Sequence, residues 1–160
     1  MSAGLEQQLI GGWSLRRWEI VHADGTRTEP FGPDAAGLIL YTADGWMSAT
    51  IMAAGRRNLS RTNPRLAPAA ERAAAFNGYF TYAGRWRVVG NSVHHEVAVA
   101  LNPAMVGTVQ VRAARVTAQT LTLSAVERVA GGERRHRIVW HRAKRGVAKP
   151  VARARKDAAR

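Results

Sequence analysis

"AGRWRVVGNSVHHEVAVALNPAMVGTVQVR", residues 83–112, reads as three strands joined by two turns. Gly90-Asn91 is a two-residue hairpin turn, which places Val89 opposite Ser92. Counting back, Trp86 faces His95, Gly84 faces Val97 and Tyr82 faces Val99, while Arg85 faces Glu96 and Arg87 faces His94. Opposite charges at Arg85 and Glu96 suit a solvent-facing cross-strand pair. The apolar set Phe80, Trp86, Val97, Val99 and Leu101 then points inward and takes His95 with it. His94 goes outward, so the two adjacent histidines cannot chelate one metal. The next turn, "NPAMVG", is longer; setting Val99 against Thr108 brings Val97 to Gln110 and His95 to Arg112. A one-residue slip there would exchange the faces.

The same grammar extends in both directions. "GWSLRRWEIVH" (12–22) stops at Asp24-Gly25, and "LILYT" and "WMSATIM" flank "ADG" as a tight hairpin. "YFTYAGRWRVV" (79–89), "SVHHEVAVAL" (92–101), "GTVQVRAARV" (107–116), "TLTLSAVE" (120–127) and "RRHRIVWHR" (134–142) complete eight candidate strands. Short alternating strands in hairpin succession specify an all-β sandwich or barrel. One interruption occurs at residues 53–78. A polar, turn-rich run leads into "PAAERAAAFNG", a short helix with Pro68 at its first turn and Gly78 at its stop. This insertion is either a lid over a barrel mouth or a plug that completes the core.

The 160-residue chain is expected to form one domain over residues 1–143, followed by a basic tail over 144–160. Its net charge of +13 is unevenly spread, since the tail alone holds seven basic residues against one acid, Asp157. The tail is either a solvated, poorly ordered segment or an arm that meets phosphate or an acidic membrane. With no cysteine, thiol catalysis, disulfides and cysteine-ligated zinc are excluded. No stretch approaches the roughly 18 apolar residues of a membrane span, and the N-terminus lacks a secretory pattern, so a cytoplasmic location is expected. The serines lack a nucleophile-elbow context, and "GRRNLSRTNPR" lacks the spacing of a phosphate loop.

In order along the chain, "LIGGW" (9–13), "PFGPDAAGLILYTADGWMSA" (30–49), "AFNGYFTYAGRW" (75–86), "HEVAVALNPAMVGTVQVR" (95–112), "LTL" (121–123) and "WHR" (140–142) resemble a family of small lipocalin-like proteins of bacteria and fungi. The resemblance covers roughly residues 9–143 and leaves out the tail. It implies a closed, eight-stranded antiparallel calycin barrel, with the insertion covering one end and room for a small molecule. Some such barrels bind and carry, and others act as cyclases or isomerases in natural-product pathways, so function has to come from the cavity.

The family's Gly-x-Trp tryptophan, carried over to Trp13, points into the barrel floor, and the closing arginine, Arg142, packs across it in a structural role. From Trp13, alternation sends Leu15, Arg17, Glu19 and Val21 inward, where Arg17 and Glu19 would pair. Trp18 and Ile20 would then face out, and a bulge that flips the second half of the strand is the alternative. His95, Gln110, Arg112, Trp86, Val97 and Tyr82 form one polar-aromatic patch inside the barrel, with Tyr41 as a further ligand-binding candidate. Arg112 suits a carboxylate or enolate oxygen, and His95 a proton donor or acceptor near neutral pH.

The leading expectation is a barrel that binds an apolar or amphipathic molecule with one polar or anionic end, without a cofactor. A cofactor-free cyclase or isomerase acting on a polyketide-like intermediate, with His95 and Arg112 as catalytic groups, is the first alternative. A basic nucleic-acid adaptor is the second; it is disfavoured because most aromatics point inward. A filled, purely structural barrel, in which the patch only fixes strand register, stays open. No metal is expected: His94-x-Glu96 lacks a third ligand, and His136 and His141 fall on opposite faces.

Overall fold

The computed structural model describes residues 4–144, so the expectations for the tail beyond Lys144 lie outside the described residues. Strands β1 (Gly11–Val21), β2 (Arg27–Thr28), β3 (Ala36–Tyr41), β4 (Trp46–Met52), β5 (Tyr79–Val89), β6 (Ser92–Ala100), β7 (Val109–Val116), β8 (Thr120–Val129) and β9 (Gly132–Arg142) form one antiparallel sheet. Pairing of β1 with β9 closes it, so eight strands make the expected barrel and the short β2 lies beside β1 as an addition. Helix α1 (Leu5–Leu9) seals the floor through the fully buried Leu9. Helix α2 (Ala69–Asn77) runs close to its expected bounds, with Gly78 as its C-cap.

The floor is built around Trp13. Its ring is completely buried, its Nε1 donates to the Leu9 carbonyl at 2.9 Å, and the Arg142 guanidinium lies 4.0 Å above it. Arg142 also donates to the carbonyls of Gln8 (2.8 Å), Ile10 (3.3 Å) and Ala118 (3.3 Å). One planar, always-charged group thereby ties together α1, β1 and the β7–β8 turn. Above the floor the interior is filled by Tyr41, Met47, Trp86, Val93, Leu121, Leu123 and Trp140.

Alternation fails at two bulges, and each moves side chains to the other face. In β1 the register against β9 shifts between Leu15 and Arg17, which brings Trp18 and Ile20 to the core side. Arg17 and Glu19 therefore lie outside the barrel wall and do not pair with each other. Arg17 meets Glu29 at 2.7 Å, and Glu19 is covered by Arg27 and Arg137, each at 3.3 Å. Between β5 and β6 the register runs as expected from Val89–Ser92 to Gly84–Val97, then shifts, so that Tyr82 opposes Ala100 rather than Val99. Val99 consequently stands 63% exposed instead of inside. A Cβ on Gly84 would sit 1.9 Å from the Glu96 carbonyl oxygen, so this close crossing demands glycine.

Two further details differ from expectation. Glu96 opposes Arg85 but pairs with Arg87 at 2.9 Å, while Arg85 stacks on Trp46. In the β6–β7 pair His95 opposes Gln110 and Val93 opposes Arg112, a slip of two residues that leaves His95, Gln110 and Arg112 on their expected face.

Candidate functional site

His95 is fully buried at the centre of a three-ring chain. Tyr41 Oη lies 2.8 Å from its Nε2 and Tyr82 Oη 2.8 Å from its Nδ1. Hairpin parity places His95 and Tyr82 inside, and the parity of Tyr41, which sequence alone leaves open, is fixed by its seat at the end of β3 against Trp86. Burial, and secondarily the nearby Arg112 charge, lowers the His95 pKa to about 3, so the ring is neutral at physiological pH. A neutral imidazole offers one donor and one acceptor. One tyrosine therefore donates to the ring, and the other accepts from it and keeps its own hydroxyl proton for another partner. Burial raises both tyrosine pKa values, Tyr41 further than Tyr82, so both stay protonated.

This arrangement places His95 in the packed layer of the barrel. The ring is enclosed, both nitrogens are engaged, and it does not titrate near neutral pH. Its hydrogen bonds set the position and polarity of Tyr41 and Tyr82.

The open space lies higher, at the end of the barrel opposite Trp13. A cavity of about 340 Å³ is lined by Trp18, Phe80, Met105, Gln110, Arg112, Ala125, Val126, Glu127 and His136. That volume is at the low end of the range of roughly 300–1,000 Å³ for small-molecule pockets. Strand pairing explains why it is open. β7 and β8 pair only over Ala113–Val116 and Leu121–Ser124. Above this level β7 has β6 alone as a partner and β8 has β9 alone, leaving the wall split between Arg112 and Ala125.

Arg112 and Gln110 stand on one lip of this split. The Arg112 guanidinium donates to Gln110 Oε1 at 3.1 Å and, with its other amino group, to the Val111 carbonyl at 3.0 Å. Among the described residues no carboxylate is within ion-pair distance of it. The carboxylate nearest in the cavity lining, Glu127, is already committed: Arg134 binds it at 2.7 Å and His136 Nε2 at 3.0 Å. Hydrogen bonds from these two, Arg134 first, lower the Glu127 pKa to about 2. His136 is placed from its other side by Trp18, whose Nε1 donates to Nδ1 at 3.3 Å, so Nε2 carries the ring proton toward Glu127. Trp18 in turn packs against Phe31 and Phe80.

Of the expected ligand-binding residues, the structure brings Gln110 and Arg112 to the cavity. Tyr41, Tyr82, Trp86, His95 and Val97 form the packed layer beneath it, and Arg17 and Glu19 lie outside the wall. Trp18, Glu127 and His136 were absent from that set. The β8–β9 hairpin carried their signal: a turn at Ala130-Gly131 pairs Val129 with Gly132 and so places Glu127 and His136 on one face. Among the described residues no group of three or more His, Asp or Glu is disposed to hold a metal, and no helix is long and apolar enough to cross a membrane.

No curated protein matches the chain. Among solved structures, the chain is similar to the lipoprotein YedD of Klebsiella pneumoniae at 11% identity and a TM-score of 0.39, over 91% of this chain and 76% of that one. It is also similar to an uncharacterized protein of Bacteroides eggerthii at 12% identity and a TM-score of 0.43, over 84% and 99% of the two chains. The profile of the lipocalin-like domain family matches residues 10–143, nearly the whole described barrel, and the chain belongs to that family.

Proposed function

We propose that the protein binds one small amphipathic molecule in the mouth cavity. Its apolar body lies on Trp18, Phe80 and Met105, and its anionic or strongly polar end meets Arg112 and Gln110. The observation that carries this reading is Arg112, a guanidinium facing an aromatic-lined space with no carboxylate partner among the described residues. A cation kept unpaired beside apolar surface is costly in an empty site and favourable in one that receives an anion. The lower half of the barrel supports the reading by being packed: Tyr41, His95 and Tyr82 form a rigid base that holds the cavity in shape.

A second reading, cofactor-free isomerisation or cyclisation in the same cavity, draws on the His136–Glu127 pair. Glu127 fixes the ring through Nε2, so the basic nitrogen Nδ1 faces Trp18 on the cavity side. Arg112 on the opposite lip would hold the carbonyl or enolate oxygen of the substrate. Binding remains the stronger reading, because the Trp18 indole already occupies Nδ1. A nucleic-acid function draws least support, since Trp13, Trp86 and Trp140 are buried and cannot stack on bases.

Native mass spectrometry of the protein as expressed tests the proposal. It is expected to show a one-to-one adduct of a small acid that is diminished in Arg112→Ala. Protein that carries no adduct, and takes up neither alkyl nor aryl carboxylates, would contradict it.

A further inference from the structure

The connection between β4 and β5 carries an unusual surface. Residues 53–78 hold five arginines (Arg56, Arg57, Arg61, Arg65 and Arg72) against a single acid, Glu71, whose carboxylate is engaged by the Ser60 backbone N–H at 2.8 Å. None of the five arginines has a carboxylate partner among the described residues. Arg56 is structural: it stacks 5.0 Å over the Tyr79 ring and donates to the Ala75 carbonyl at 3.0 Å. The others are exposed and uncommitted.

Set among these charges is apolar surface that none of the described residues covers. Leu66 is 70% exposed, Phe76 49% and, on the neighbouring β6–β7 connection, Val106 50%. No residue of α2 is buried, so this helix adds nothing to the core and rests on the barrel by one edge. Between helix and barrel runs a groove of about 370 Å³ with Leu59, Phe76 and Leu101 along it and Arg65 and Arg72 at its rim.

From these features we infer that residues 53–78 are a docking surface for an anionic phospholipid bilayer. The exposed leucine and phenylalanine enter the acyl boundary, and Arg65 and Arg72 engage lipid phosphates. Charge complementarity selects this occupant. A second copy of the chain would bring arginines against arginines. A single-stranded nucleic acid would use several aromatic platforms, where this surface offers one exposed phenylalanine, Phe76, among leucine and alanine. Bulky aliphatic groups interleaved with arginine are the pattern of interfacial docking, in which apolar burial and attraction to anionic lipid act together. Topology adds a consequence: the β4–β5 connection stands at the same end as the mouth cavity, so docking turns that mouth toward the bilayer. The inference does not depend on the ligand proposed above.

A depth-sensitive label tests it on the full chain. The protein has no cysteine, so Leu66→Cys carries a nitrobenzoxadiazole probe at a single site, and Ala118→Cys in the β7–β8 turn reports on the opposite end. Each is titrated with vesicles of phosphatidylcholine alone or mixed equally with phosphatidylglycerol. The probe at residue 66 is expected to shift to the blue on the mixed vesicles only, and the probe at 118 on neither. Arg65→Glu/Arg72→Glu, both exposed and so compatible with folding, should weaken the titration at least ~10-fold, given the contribution of each basic residue near an anionic surface. An unshifted probe at 66 would overturn the inference, including the case in which binding comes from the basic tail alone. So would an equal shift on neutral vesicles, a charge-reversed double variant that binds normally, or a polynucleotide that shifts the probe where vesicles do not.

Discussion

Acidification from pH 7.5 to 5 should cost this barrel stability through one side chain, His95. In the native state its pKa is depressed to about 3 by burial, while in the unfolded chain it returns to about 6.5. Between these values the unfolded state binds a proton that the folded state refuses, so stability falls as pH drops below the unfolded pKa. At pH 5 the loss is set by the unfolded pKa alone, because the folded pKa lies well below the window. About 1.5 pH units at about 1.4 kcal/mol each gives roughly 2 kcal/mol. Urea denaturation at the two pH values measures it, with His95→Gln as the reference. That variant loses stability overall but differs from wild type at this one side chain, so the difference in pH dependence isolates His95. The Glu127 contribution lies lower: it is complete above the unfolded carboxylate value near 4.5 and is lost as pH falls toward about 2, outside this range. Equal pH dependence in wild type and His95→Gln would refute the enclosed, neutral Tyr41–His95–Tyr82 chain.

Other consequences of the packing are open to direct measurement. Trp13→Ala should cost about 3–5 kcal/mol in chemical denaturation by opening a cavity in the floor. Arg142→Ala should also destabilise while leaving ligand affinity unchanged in the folded protein, since its hydrogen bonds and ring contact among the described residues are with floor carbonyls and Trp13. Gly84→Ala should prevent normal folding, which loss of expression or of a cooperative thermal transition would reveal, because the Glu96 carbonyl occupies the position of the new methyl. Trp140→Phe should be nearly neutral in thermal melts: its buried Nε1 has no hydrogen-bond partner among the described residues, so removing that N–H offsets part of the lost ring volume.

The sequence made the barrel legible because its turns are tight. Gly90-Asn91 fixes the β5–β6 register, so Trp86 and His95 could be placed inside by counting. The count failed where an extra residue enters a strand. Gly84 marked the β5–β6 bulge, as an isolated glycine in a strand often does, and the broken alternation of Arg16-Arg17-Trp18 marked the bulge in β1. Reading through both bulges put Val99 inside and kept Arg17 and Glu19 among the cavity residues. The Tyr41–His95 contact joins side chains 54 positions apart, beyond the reach of any hairpin count. The split between β7 and β8 was equally hidden, because no residue pattern announces where two adjacent strands stop pairing. His136, considered only as a metal ligand, was overlooked as the partner of Glu127.

The most direct measurement of the ligand account is a pair of equilibrium titrations, with decanoate and with decanol, followed by tryptophan fluorescence in wild type and Arg112→Ala. The two probes share an apolar chain and differ in the group that Arg112 would meet. Wild type is expected to prefer the carboxylate by tenfold or more, which corresponds to a charged hydrogen bond of about 1.5–3 kcal/mol. Arg112→Ala should lose that preference and keep the weak affinity of the apolar walls, while His94→Ala on the outer face behaves as wild type. Equal binding of acid and alcohol by wild type, or a carboxylate preference that survives in Arg112→Ala, would contradict the account.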